Sequence, residues 1–114
     1  MNSLLNKHCR DYSKKEASMN QQEIKKLLIH IPKWQQGLSQ KDSEQQLYRT
    51  YSFDNFQQTM NFVNRVAEIA ETQDHHPTME IRYNRCKISY NTHTVSGITE
   101  NDFICAAHID AIIS

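Results

Sequence analysis

Three histidines are the residues of this chain best able to do chemistry at neutral pH. His75 and His76 are adjacent and precede Pro77, and His93 lies further along the same stretch. Unperturbed imidazole has a pKa of about 6.5, so it can both give and take a proton near pH 7. Carboxylates surround the set: Glu71 and Asp74 come before the pair, and Asp102 follows His93. Proline is excluded from a helix interior, so the pair must lie just past a helix end, in a loop or at a strand entrance. Such positions on a rigid scaffold are where sites are built.

Three histidines can also make a catalytic zinc site. Adjacent side chains in an extended segment point to opposite sides, which makes it awkward for His75 and His76 to share one ion with His93. General acid/base chemistry without metal or cofactor is therefore the reading the pattern favours. Any one of these histidines alone would read as a hydrogen-bonded loop or strand-end residue, but the constellation with three carboxylates argues for a site. Glu71, four residues before His75 and five before His76, is placed to accept a ring N–H and fix a tautomer.

The elements that must position these groups follow from periodicity. Asn20 with Glu23 has the form of a capping box and opens a short helix with Ile24, Leu27 and Leu28 on one side, ended by Pro32. Trp34 sits in an extended context and Gly37 to Ser43 is loop-like. Gln45 to Phe53 reads as a strand, with Leu47, Tyr51 and Phe53 on one face and Tyr48 and Thr50 on the other. Asp54 is placed to cap the main helix, whose Phe56, Met60, Val63, Ala67 and Ala70 recur at helical spacing, with Phe62, Val66 and Ile69 widening the stripe. Asp74 to Pro77 ends it.

Two alternating runs come next, Met79, Ile81 and Tyr83, then Cys86, Ile88 and Tyr90, with Asn84-Arg85 as a tight hairpin turn between them. Gly97 breaks the second strand. Thr99 caps a last helix that has Asp102 at its third position and Phe103, Ala106, Ala107, Ile109 and Ile112 on its apolar side. Residues 1 to 18 show no sustained period and are expected to form a flexible extension, leaving 19 to 114 as the domain. Short connections and mixed elements point to an α+β two-layer sandwich, with an antiparallel sheet and helices packed on one face.

Composition sets the remaining bounds. The 114 residues fit one domain, and a formal net charge of zero gives no electrostatic footprint for nucleic acid. Cys9, Cys86 and Cys105 are odd in number and widely spaced, which fits reduced thiols rather than a disulfide framework or zinc finger. With no apolar run of about 20 residues, no membrane span is expected, and a cytoplasmic location follows.

The ordered set Glu71-x-x-x-His75-His76-Pro77, then Tyr83-Asn84, then Thr92-His93, resembles the signature of the pterin-4a-carbinolamine dehydratases. The resemblance runs from about Asn20 to the C-terminus and takes in Trp34 and Asp102. It implies a four-stranded antiparallel sheet covered by helices, in a protein that is a dimer or tetramer. It further implies a dehydratase that eliminates water from a 4a-hydroxytetrahydropterin to give a quinonoid dihydropterin, recycling the pterin cofactor of an aromatic amino acid hydroxylase. His75, His76 and His93 then correspond to three active-site histidines, and Glu71, Asp74, Pro77, Trp34 and Asp102 to substrate-binding positions. Within that set His75 and His93 are assigned to proton transfer and His76 to substrate orientation. Met79 stands where vertebrate members often carry an aromatic. The same resemblance offers an alternative, a non-catalytic binding module, because vertebrate relatives also serve a homeodomain transcription factor as a dimerisation cofactor. Retention of all three histidines favours the enzyme.

Overall fold

In the computed structural model, which describes residues 3–113, the elements run α1 Gln21–Leu28, β1 Gln35–Leu38, β2 Gln45–Ser52, α2 Phe56–Gln73, β3 Thr78–Arg82, β4 Arg85–Tyr90 and α3 Glu100–Ile113. The four strands form one antiparallel sheet in the order β1-β2-β4-β3. The long helix α2 carries the chain from β2 to the far edge, and the β3–β4 hairpin folds back so that β4 pairs with β2. This is the expected α+β arrangement.

One face of the sheet is apolar. Leu47 and Tyr51 of β2 and Cys86, Ile88 and Tyr90 of β4 join Phe62, Val63 and Val66 of α2 and Phe103, Ile104 and Ala106 of α3 in a single core. Tyr51 lies against Phe62 with ring centroids 4.6 Å apart, and Phe53 meets the same ring at 5.1 Å. The alternate positions are polar: Tyr48, Thr50 and Lys87 share the other face, where the Lys87 ammonium sits 4.9 Å from the Tyr48 ring centre. Among the described residues no helix is long and apolar enough to cross a membrane.

Several local expectations are corrected. Gln35–Leu38, within the stretch expected to be extended and then loop-like, is the edge strand β1, paired with β2 from Gln35↔Tyr48 to Leu38↔Gln45. Asn55, not Asp54, caps α2, its side chain accepting the Gln58 N–H at 2.9 Å. The hairpin turn is Tyr83-Asn84, since Arg85 already pairs with Arg82. Ile81 on the edge strand β3 and Tyr83 in the turn are exposed, while Met79 of β3 packs against the core.

The largest difference is at the N-terminus. Residues 1 to 18 were expected to be a flexible extension, whereas the described part of that segment lies on α3 and Leu4 is fully buried. The Arg10 N–H donates to the Asn101 side chain at 3.0 Å, and that side chain donates back to the Arg10 carbonyl at 2.7 Å. Cys9 N–H donates to Gln73 at 2.7 Å, and Met19 N–H to the Ile98 carbonyl at 2.8 Å. Every residue from Asn101 to Ala107 is consequently buried. A helix apolar on more than one side needs a second cover, and Cys105, off the expected stripe, meets Cys9 of this segment.

Candidate active site

The C-terminus of α2 builds one wall of the site. Asp74 takes the left-handed conformation at φ 50°, and its N–H closes the last turn onto the Ala70 and Glu71 carbonyls. Such a cap turns the chain sharply out of the helix, and the next two residues are delivered to opposite surroundings. The His75 side chain is 12 % exposed, while that of His76 is 55 % exposed. Pro77, half-buried, then leads into β3.

His75 is held from three directions. Its Nε2 lies 2.6 Å from Asp102 Oδ1, its ring stacks on Tyr90 with centroids 5.1 Å apart, and its carbonyl accepts the Tyr90 hydroxyl at 3.1 Å. Asp102, at the first turn of α3, is 0 % exposed. Its Oδ2 accepts the Thr99 N–H at 2.9 Å and the Thr92 hydroxyl at 3.0 Å, and the two threonine hydroxyls lie 2.6 Å apart. Thr99 in turn accepts the Asn101 N–H at 3.2 Å, so the expected cap of α3 is present and its third residue is also the partner of His75. Burial pushes the Asp102 carboxyl above its ordinary value, and the contacts with His75, Thr99 and Thr92 pull against that rise. Burial also raises the Tyr90 hydroxyl far above its usual range.

His76 faces solvent, with its Nε2 2.5 Å from Glu71 Oε2. Both groups are more than half exposed, so this pair orients the ring and adds little stability. His93 opens a short 3₁₀ turn, His93–Val95, just past β4, and its side chain is 84 % exposed. Its Nδ1 is 3.4 Å from Glu44 Oε1, which also accepts the Asn91 amide at 3.0 Å. Asp42, Glu44 and His93 offer ligand atoms within 4.8 Å of one another; His75 and His76 do not join that group.

Some sequence candidates are elsewhere. Trp34 is buried and its indole N–H donates to Asp110 at 2.9 Å, alongside Arg49 at 2.7 Å and the Tyr51 hydroxyl at 2.6 Å. Asp110 is eight residues beyond Asp102 on α3, ~12 Å along the axis. Trp34 thus belongs to a network bordering a groove of about 470 Å³ beside Lys33, Arg49 and Ala107, away from the His75–Asp102 pair. Asp102 does not present a carboxylate outward, since both its oxygens are committed to protein donors. Tyr83 is exposed at the distal tip of the hairpin, where its carbonyl accepts the Thr59 hydroxyl at 3.0 Å. The sequence reading missed Glu44, the partner of His93, which carries no local signal because it acts through a contact between elements; Thr92 was in the motif, but its bond to Asp102 was not foreseen.

Comparison with known proteins shows the family and the fold. Residues 17–112 match the family described as pterin 4 alpha carbinolamine dehydratase. A protein of Xylella fastidiosa named "Putative pterin-4-alpha-carbinolamine dehydratase" is 40 % identical over 110 residues, covering 96 % of this chain and 91 % of that protein. One of the same name from Legionella pneumophila is 40 % identical over 111 residues, covering 96 % of this chain and 95 % of that protein. Among solved structures, a transcriptional coactivator/pterin dehydratase from Brucella melitensis superposes with a TM-score of 0.76 at 29 % identity, covering 85 % of this chain and 99 % of the other. A pterin dehydratase-like protein described as a RuBisCO assembly factor in the alpha-carboxysome shares the fold, with a TM-score of 0.59 at 21 % identity over 73 % of this chain and 92 % of its own.

Proposed function

From the premise that this chain belongs to the pterin 4 alpha carbinolamine dehydratase family, we propose that it is a hydro-lyase that eliminates water from a 4a-hydroxytetrahydropterin, using its histidines as acid and base. The observation that carries the reading is the His75–Asp102 pair set beside a second, solvent-facing histidine. With Asp102 ionised, His75 Nε2–H donates to the carboxylate, which leaves Nδ1 as the ring nitrogen free to exchange a proton.

The elimination breaks the bond between C4a and its hydroxyl. An acid protonates the departing oxygen so that it leaves as water, and a base removes a proton from the ring to complete the quinonoid product. His75 and His93 are assigned these two transfers. His76, oriented by Glu71, holds the substrate, and Asp74 and Pro77 shape the turn that presents it. Asp102 is a positioning residue, fixing the tautomer and ring plane of His75. The product is a quinonoid dihydropterin, the form from which the cofactor of an aromatic amino acid hydroxylase is regenerated, and the setting is cytoplasmic. Self-association fits two sheet edges on which Leu38 and Ile81 are exposed.

The test is the rate of loss of chemically generated carbinolamine with and without the protein. A rate well above buffer supports the enzyme. A rate equal to buffer overturns it and leaves the alternative of a binding role, with which the name of the Brucella transcriptional coactivator/pterin dehydratase is in keeping.

A further inference from the structure

Cys9 and Cys105 are far apart in sequence and close in space. Their sulfurs lie 3.5 Å from one another, with Cys9 half-exposed and Cys105 fully buried on α3. Cys9 belongs to no helix or strand, and its position is set by neighbours on both sides. Its own N–H is bound by Gln73, and the next residue, Arg10, is clamped to Asn101 through both its N–H and its carbonyl. Cys105 is one turn after Asp102 and lies beside the Tyr90 hydroxyl, whose ring stacks on His75.

We propose that Cys9 and Cys105 are a disulfide-forming pair, and that oxidation fastens the N-terminal segment to α3 behind the His75–Asp102 pair. A disulfide needs its sulfurs at ~2.05 Å, so a movement of ~1.5 Å closes the bond. The irregular segment around Cys9 supplies that movement more readily than α3. The oxidant class is a small-molecule disulfide. Solvent reaches Cys9 first: its thiolate attacks one sulfur of the oxidant, the oxidant's S–S bond breaks, and one small thiolate leaves. Cys105 then attacks the Cys9 sulfur of the mixed disulfide and expels the second small thiolate, which takes up the Cys105 proton. Two protein thiols are oxidised and one small disulfide is reduced to two thiols. Cys86 and Cys105 are both buried with raised thiols, and what singles out Cys105 is its 3.5 Å contact with the Cys9 sulfur, which Cys86 on β4 does not share.

The test uses the folded full-length chain with glutathione disulfide, followed by alkylation and mass spectrometry. The expected product is a monomer lighter by two hydrogens that yields a Cys9–Cys105 cross-linked peptide. Because the bond spans 96 residues of sequence, its melting temperature should rise by several degrees and return on reduction. Cys9→Ser, a change at a half-exposed position, should melt with the reduced wild type and no longer respond to oxidant. A product that stops at a glutathione adduct on Cys9, or retains both thiols free for alkylation, overturns the proposal. So does a cross-link that leaves the melting temperature unchanged.

Discussion

His75 Nε2 and Asp102 Oδ1 are 2.6 Å apart, joining the loop after α2 to the first turn of α3 through a carboxylate that has no exposed surface. Asp102 is already committed to the start of its own helix and to Thr92. The ring of His75 is therefore aimed by the same carboxylate that accepts the N–H of Thr99, the residue capping α3, and disturbing either affects the other.

Replacing His75 or His93 with Ala should lower turnover by a factor of about 10² to 10⁴, the usual worth of a proton-transfer group. The rate in buffer alone is to be subtracted before comparison. Wild-type turnover in either variant would show that another group moves that proton.

Loss of the exposed pair should act differently. His76→Ala is expected to raise KM more than it lowers kcat, and Glu71→Gln to do the same more weakly, because that pair is open to solvent. Steady-state kinetics on both variants separate the two parameters; a fall in kcat alone would move His76 into the proton-transfer pair.

The buried carboxyl gives a pH dependence of stability. Burial raises Asp102 above its ordinary value of 3.8 in spite of its partners. A raised carboxyl favours its protonated form in the folded state, so its stabilising contribution is complete below that ordinary value and is lost as pH rises through the folded value. The melting temperature of the wild type minus that of Asp102→Asn should thus decline as pH climbs from 3.8. A difference that grows over the same interval would mean that the contacts with His75, Thr99 and Thr92 outweigh burial.

The N-terminal segment should matter to folding. Leu4 is buried against the core, so Leu4→Ala is expected to cost about 2–5 kcal/mol, and deletion of residues 1–18 at least as much. Chemical denaturation checks both; a deletion as stable as the full chain would show that α3 needs no second cover.

The sequence determined the elements and the chemical repertoire. The apolar stripe of α2, the alternation of β4 and the Asn20–Glu23 capping box are each set by neighbours within a turn or two, and periodicity reports such local burial directly. The order of Glu71, His75, His76, Pro77 and His93 likewise singled out the candidate acid and base groups and placed the histidine pair past a helix end. Only the tertiary structure decided the pairings. His75 finds Asp102 across 27 residues, His93 finds Glu44 across 49, and Cys9 finds Cys105 across 96. It also separated Trp34 from the histidines by sending its indole to Asp110, at the other end of α3. Nothing within a few residues of these side chains specifies a partner. Each contact exists because two elements, folded for local reasons, bury their apolar faces against one another and bring the polar residues at their ends within hydrogen-bonding reach.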